Sequence, residues 1–240
     1  MNYREKWRAI SGAIHSEKAA ILAIQESHLD QRMTEQLGEN FEKNLKILNS
    51  AHPNNPRATA GVGFVINRQL IEPDDVELHE LIPGRVAMLK IKWLKSCAVT
   101  ILNVYAPNDR SKHAAFWAKI LTERRAKHLP IPDLTLGDFN VTEDAIDRLP
   151  PKPDDESAIN ALREVKHEWD IQDTWRKINP TERAFTYSAQ THNDRIQARL
   201  DRIYTSKKAE PLTFDWEIKE SAIPTDHAMV SVRYAPKEAP

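Results

Sequence analysis

Cysteine occurs once in the 240 residues, at Cys97. A disulfide framework within the chain is therefore excluded, which fits a reducing, intracellular compartment. Cys97 lies in an apolar, strand-like run and reads as a small core side chain. Long hydrophobic runs are also missing: no stretch of about eighteen apolar residues occurs, so no membrane span and no membrane partner are expected. The first ten residues are too polar for a signal peptide. Excess charge of one sign is absent, with 34 Lys and Arg against 35 Asp and Glu and a net charge of -1. The chain is thus not the uniformly basic protein that nucleic-acid binding often produces, although a local basic face balanced elsewhere stays compatible with it. No internal repeat and no low-complexity tract interrupts the sequence. What is present, 40% hydrophobic and 29% charged residues, supports a packed core and argues against disorder.

Taken in order, Tyr3 to about Glu17 places Trp7, Ile10 and Ile14 at spacings of three and four and predicts an amphipathic helix. The apolar run from Ala19 to Ile24 predicts a buried strand, followed by strands at Leu45–Leu48 and Gly61–Ile66. The two glycines of the latter, Gly61 and Gly63, suggest close approach by another backbone or a ligand. Val76–Ile82 and Arg85–Trp93 read as a strand pair around Pro83-Gly84, and Ala98–Val104 continues the sheet until Pro107 ends it. Helices are expected over Lys112–Arg125 and Glu156–Trp169. Further strands are expected at Leu134–Leu136, Phe185–Tyr187, Leu200–Tyr204, Phe214–Ile218 and Ala228–Val232. Strands outnumber helices and the helices are spread between them, which predicts an α/β fold with two sheets faced by helices, in a single domain over residues 1–240.

Polar groups gather at the ends of these strands. Leu134-Thr135-Leu136 runs into Gly137-Asp138-Phe139-Asn140, putting an acid and an amide just past a buried strand, where α/β structures collect ligands and chemistry. Glu26 follows the first strand, Tyr105 the Ala98 strand, Asp201 opens another, and Asp226-His227 precedes the last. Each of these reads equally well alone as a turn residue, a solvated carboxylate or a packing aromatic.

In this order, Gln25-Glu26, Asn103-Val104-Tyr105-Ala106-Pro107, Gly137-Asp138-Phe139-Asn140, Arg199-Leu200-Asp201 and Asp226-His227 resemble the ordered motifs of the endonuclease/exonuclease/phosphatase superfamily, over about Trp7 to Tyr234. Asn108 after the tyrosine motif, and Phe185-Thr186-Tyr187 ahead of Arg199-Leu200-Asp201-Arg202-Ile203-Tyr204, look most like the endonuclease domains of non-long-terminal-repeat retrotransposons and like apurinic endonucleases. The resemblance implies the deoxyribonuclease-I-like fold, a four-layer α/β sandwich with two packed mixed β-sheets flanked by helices. It implies metal-dependent hydrolysis of phosphodiesters, DNA as partner, and access to the nucleus. Glu26 and Asp226, hard oxygen ligands, are then expected to hold Mg2+, with Mn2+ as an alternative. Asp138 is expected to activate the attacking water, and His227 to meet a phosphate oxygen with Asp201 fixing its ring. Asn140 and the Tyr105 hydroxyl are expected on phosphate oxygens. Thr186 and Arg199 are expected to touch the substrate, and the chain is taken as a monomer.

One element of the pattern is not found. The family's first strand precedes the first helix and ends in an asparagine that shares the metal, whereas here the helix begins almost at Met1 and Asn2 is too close to it. The expectation is a domain truncated at its N-terminus, with a metal ligand lost and neighbouring strands unpaired. Two other readings stay open. One is a phosphodiesterase or phosphatase acting on small phosphorylated substrates, favoured by the near-neutral charge. The other is an inactive remnant that at most binds nucleic acid through Arg195, Arg199, Arg202, Lys207 and Lys208.

Overall fold

The computed structural model describes residues 3–93, 97–190, 195–223 and 225–235. Asn2 and the side chain of Cys97 lie outside the described residues. Packing divides the chain into two compact units, Met1–Tyr105 with Ser221–Thr225, and Ala106–Glu220 with Asp226–Pro240.

The first unit contains helix α1 (Tyr3–Ser16), strand β1 (Ile21–Gln25), helix α2 (Gln31–Phe41) and strands β2 (Leu45–Ser50), β3 (Val62–Asn67), β4 (Val76–Ile82), β5 (Val86–Trp93) and β6 (Cys97–Tyr105). Strand β3 lies between β1 and β2, antiparallel to both. Every residue of β3 is buried, because the sheet is covered on both sides. On one side Val65 joins Trp7, Ile10 and Ile14 of α1 and Leu37 of α2 in an apolar cluster. Burying side chains of this size contributes roughly 1.5–3 kcal/mol each. On the other side stands β4-β5-β6. Asn103 of β6 donates to the carbonyls of Ile24 and Gly63 at 3.0 and 2.9 Å and accepts from Gln25 at 2.6 Å. A buried amide with several partners fixes the register between the two sheets, since any slip would leave polar groups unpaired. A Cβ on Gly63 would stand 2.7 Å from the Leu48 carbonyl, and Gly61 takes a φ of +101° beside Ser27. Both glycines therefore allow a close backbone approach, as their placement suggests.

The second unit contains α3 (His113–Ala126), β7 (Leu134–Asp138), β8 (Arg148–Leu149), α4 (Glu156–Trp169), β9 (Ile171–Gln172), α5 (Thr174–Ile178), β10 (Tyr187–Gln190), β11 (Arg195–Ala198), β12 (Asp201–Ser206), β13 (Thr213–Lys219) and β14 (Met229–Tyr234). Strand β12 pairs with β7 and β9, β11 with β10 and β8, and β13 with β14, all antiparallel. Helices α3 and α4 lie side by side and bury Phe116, Trp117 and Ile120 together with Ile159, Leu162, Val165 and Trp169. Trp117 stacks on Phe139 with ring centres 5.9 Å apart, and the edge of Phe139 meets Tyr204 of β12 at 4.9 Å. Packed sheets flanked by helices are thus the observed architecture, in agreement with the expected α/β class. Helices α2 and α5 and the strands β8, β9 and β11 were not expected from the sequence.

Candidate active site

In the second unit, burial of one aromatic ring presents two polar groups. Phe139 is fully buried, anchored between Trp117 and Tyr204 with the Arg202 guanidinium 5.0 Å over its ring. Its flanking residues Asp138 and Asn140 are held against each other. The Asn140 amide N–H donates to Asp138 Oδ1 at 2.9 Å and its Nδ2 reaches Asp138 Oδ2 at 3.1 Å. Gly137 at φ +129° and Asn140 at φ +50° supply the left-handed backbone this turn needs, which glycine and asparagine take more readily than other residues. Nδ2 of Asn140 also donates to the Ala106 carbonyl at 3.0 Å and to Asn108 Oδ1 at 3.2 Å. Two amide hydrogens are thus committed to three acceptors, and Asn140 steadies Asp138.

Directly across the β7–β12 ladder, Asp138 faces Asp201. Nδ1 of His227 lies 2.7 Å from Asp201 Oδ2. Since a carboxylate only accepts, the proton of this bond sits on Nδ1 and Nε2 is the ring's other working atom. Burial, and then the nearby charge of Asp201, push the Asp138 carboxyl up to about 7. Burial disfavours a charged His227, but the hydrogen bond to Asp201 and the charges of Asp201, Asp138 and Asp226 outweigh it and raise the ring to about 9. The imidazolium is therefore the main form near neutral pH. Asp226, next along the chain, is exposed.

In the first unit, Glu26 follows β1 at φ +50° and is exposed. The Tyr105 hydroxyl donates to Glu26 Oε1. The Arg85 guanidinium lies 4.5 Å over the Tyr105 ring, and the Tyr105 amide donates to the Arg85 carbonyl at 2.8 Å. Tyrosine and carboxylate therefore form a fixed pair.

Thr186 and Arg199, expected to meet substrate, are placed differently. Thr186 is 1% exposed, and its hydroxyl accepts from the amides of Leu200 and Asp201, both at 2.9 Å. Arg199 is 2% exposed. It donates through Nε and Nη2 to Asp147 at 2.8 and 2.9 Å and through Nη2 to Asp173 at 2.6 Å. Asp147 is itself fully buried and also receives Arg176. Burial alone disfavours its charge, and the hydrogen bonds from Arg199 and Arg176 with the charges of Arg199 and Arg202 overcome that and hold it below the usual carboxylate range. Neither residue has the exposure that contact with a substrate requires. Arg202, considered for phosphate contact, is 1% exposed and donates to the Val141 carbonyl and Glu143. Lys207 and Lys208 stay exposed, beside Asp170 and Asp133. Sequence reasoning missed Asp147, Asp173 and Arg176. Their only signal was Asp173, an N-cap residue whose side chain accepts from the Arg176 amide at the start of α5.

Among the described residues no group of three or more His, Cys, Asp or Glu side chains is gathered as a metal centre. The donors named from the sequence, Glu26 and Asp226, are exposed carboxylates. This oxygen chemistry fits a hard divalent cation and not a thiolate-seeking metal.

Residues 6–227 match the family described as the Endonuclease/Exonuclease/phosphatase family. The chain belongs to that family. A relative from Xenopus laevis, the transposon TX1 uncharacterized 149 kDa protein, is 32% identical over 162 residues. That match covers 68% of this chain and 12% of the relative's length. Among solved structures, the endonuclease domain of TRAS1, a telomere-specific non-LTR retrotransposon, is similar with a TM-score of 0.70 and 16% identity. It covers 96% of this chain and 93% of that one. The AP endonuclease LMAP from Leishmania major is similar with a TM-score of 0.76 and 14% identity, over 97% of this chain and 84% of that one. At such identities these structures share the fold of this endonuclease/exonuclease/phosphatase protein. Among the described residues no helix is long and apolar enough to cross a membrane.

Proposed function

We propose that this protein is a magnesium-dependent endonuclease that nicks DNA, of the kind carried by non-long-terminal-repeat retrotransposons. The observation that carries the reading is the placement, on one unit of a phosphoester-cleaving family member, of the His227–Asp201 pair across a strand ladder from buried Asp138. The transposon relative and the likeness to a retrotransposon endonuclease and an AP endonuclease support DNA as substrate. A DNA substrate implies an intracellular protein with access to the nucleus.

The geometry supports the following roles. Asp138, near 7, takes a proton from the attacking water, and its Asn140 partner holds the carboxylate in aim. The imidazolium of His227 donates from Nε2 to a phosphate oxygen while Asp201 keeps the ring oriented from Nδ1. Its charge offsets the charge that builds on the phosphoryl group. Tyr105 donates its one hydroxyl proton to Glu26, so the phosphate contact that the resemblance assigns to it requires that bond to be released when substrate binds. Glu26 and Asp226, one in each unit, are the carboxylates that the resemblance assigns to the cation, which would supply Lewis-acid charge for the phosphate and the leaving oxygen when bound.

A substrate comparison tests the reading. Supercoiled plasmid should be converted to the nicked circle in magnesium, while soluble phosphomonoesters and short-chain phosphodiesters turn over far more slowly. Turnover of the soluble esters with the plasmid left intact would move the protein to a small-molecule phosphodiesterase or phosphatase.

A further inference from the structure

The two partners of the His227–Asp201 pair stand 26 residues apart in the sequence, and both are tied to one short segment. The Thr186 hydroxyl accepts from the amides of Leu200 and Asp201 at 2.9 Å each, where β12 begins. The Thr186 carbonyl accepts from the amide of Ala228, the residue after His227, and its amide donates to Ala198. Two residues on, the Ser188 amide donates to the Asp226 carbonyl at 3.2 Å. Between them Tyr187 bridges to His227 and sets its ring 5.1 Å from the imidazole. Thr186 is buried, so water cannot replace its hydroxyl at the two amides without rearrangement.

From this arrangement we infer that Thr186 is a positioning residue, holding Asp201 through its side chain and the 226–228 segment through its backbone so that the His227–Asp201 hydrogen bond forms. Its action is on the pair and not on the substrate. A hydroxyl is needed because it alone offers one small acceptor to two adjacent amides, a task that serine can share and valine, of similar shape, cannot.

The kinetic arm of the test rests on the nuclease reading above, and the spectroscopic arm does not. The probes are plasmid DNA with magnesium, and the downfield Nδ1–H proton resonance of His227 in the full chain. Thr186→Val should lose that resonance and lower kcat roughly 10- to 100-fold with KM within about twofold, as expected for misplaced groups. Thr186→Ser should keep the resonance and kcat within about threefold. Should Thr186→Val fail to fold, Thr186→Ala replaces it, since it likewise removes the acceptor for the two amides and adds no branched bulk. Three results would each overturn the inference: a resonance retained in the valine or alanine chain, a resonance lost in the serine chain, or a rise in KM with kcat unchanged. If no variant, nor the wild type, nicks DNA while the resonance behaves as expected, the nuclease reading fails and the positioning role of Thr186 stands.

Discussion

At the scale of single residues, the site depends on two ionisable groups moved in the same direction for different reasons. Asp138 is raised to about 7 by burial and by Asp201, and His227 to about 9 chiefly by Asp201. Water activation needs Asp138 without its proton and phosphate stabilisation needs His227 with one. Activity should therefore rise as pH passes through about 7 and fall as it passes through about 9, with both limbs belonging to the coupled groups. A flat profile between pH 6 and 9.5 would contradict these roles. The same shift has a stability sign. His227 binds its proton more tightly folded than unfolded, so its contribution is complete below 6.5 and lost as pH rises through about 9. The shift corresponds to about 3 kcal/mol at most, less for a side chain 26% exposed. Urea denaturation at pH 6 and pH 10 should show that loss in the wild type and a smaller one in His227→Ala. The acid, the amide and the histidine were legible as residue types at strand ends. The pairing of Asp138 against Asp201 was not, because register across β7 and β12 is set by tertiary packing, which no local pattern reports.

At the scale of elements, α1 and α4 were legible because their apolar spacing is clear, and α4 has the expected bounds, Glu156–Trp169. Helix α2 was not, since Leu37 is its one buried residue and its identity rests on the Asp30 cap, whose side chain accepts from the Met33 amide at 2.7 Å. The charged cluster of Asp147, Arg176, Arg199 and Asp173 escaped notice for a related reason. Arginine next to a site motif reads as a substrate contact, whereas here it is buried between two carboxylates from other elements. Arg199→Met should cost about 3–5 kcal/mol in urea denaturation, because it leaves Asp147 buried with less compensation. A loss under about 1 kcal/mol would mean that the pair is dispensable. Gly63→Ala should lower stability by roughly 1–3 kcal/mol, since its Cβ meets the Leu48 carbonyl and backbone must move. An unchanged melting temperature would show that β2 and β3 can part without cost.

At the scale of the whole molecule, family membership was legible because five short motifs, each weak alone, stand in one order along nearly the full chain. Fold survives where identity does not: the retrotransposon and AP endonuclease structures match 96% and 97% of this chain at 16% and 14% identity. In this chain the polar strand ends stand on a packed core, of which Phe139 between Trp117 and Tyr204 is the local part. Net charge near zero, which favoured a small phosphorylated substrate, is a weak guide, because paired and buried arginines count toward the total without facing solvent. The most direct test of the account is the rate of plasmid nicking in magnesium by the wild-type chain and by Asp138→Asn, each with and without EDTA, alongside their melting temperatures. The account expects EDTA to stop the wild type, and Asp138→Asn to be slower by about 10²-fold or more while still folded. Nicking by a folded Asp138→Asn chain at the wild-type rate would contradict it.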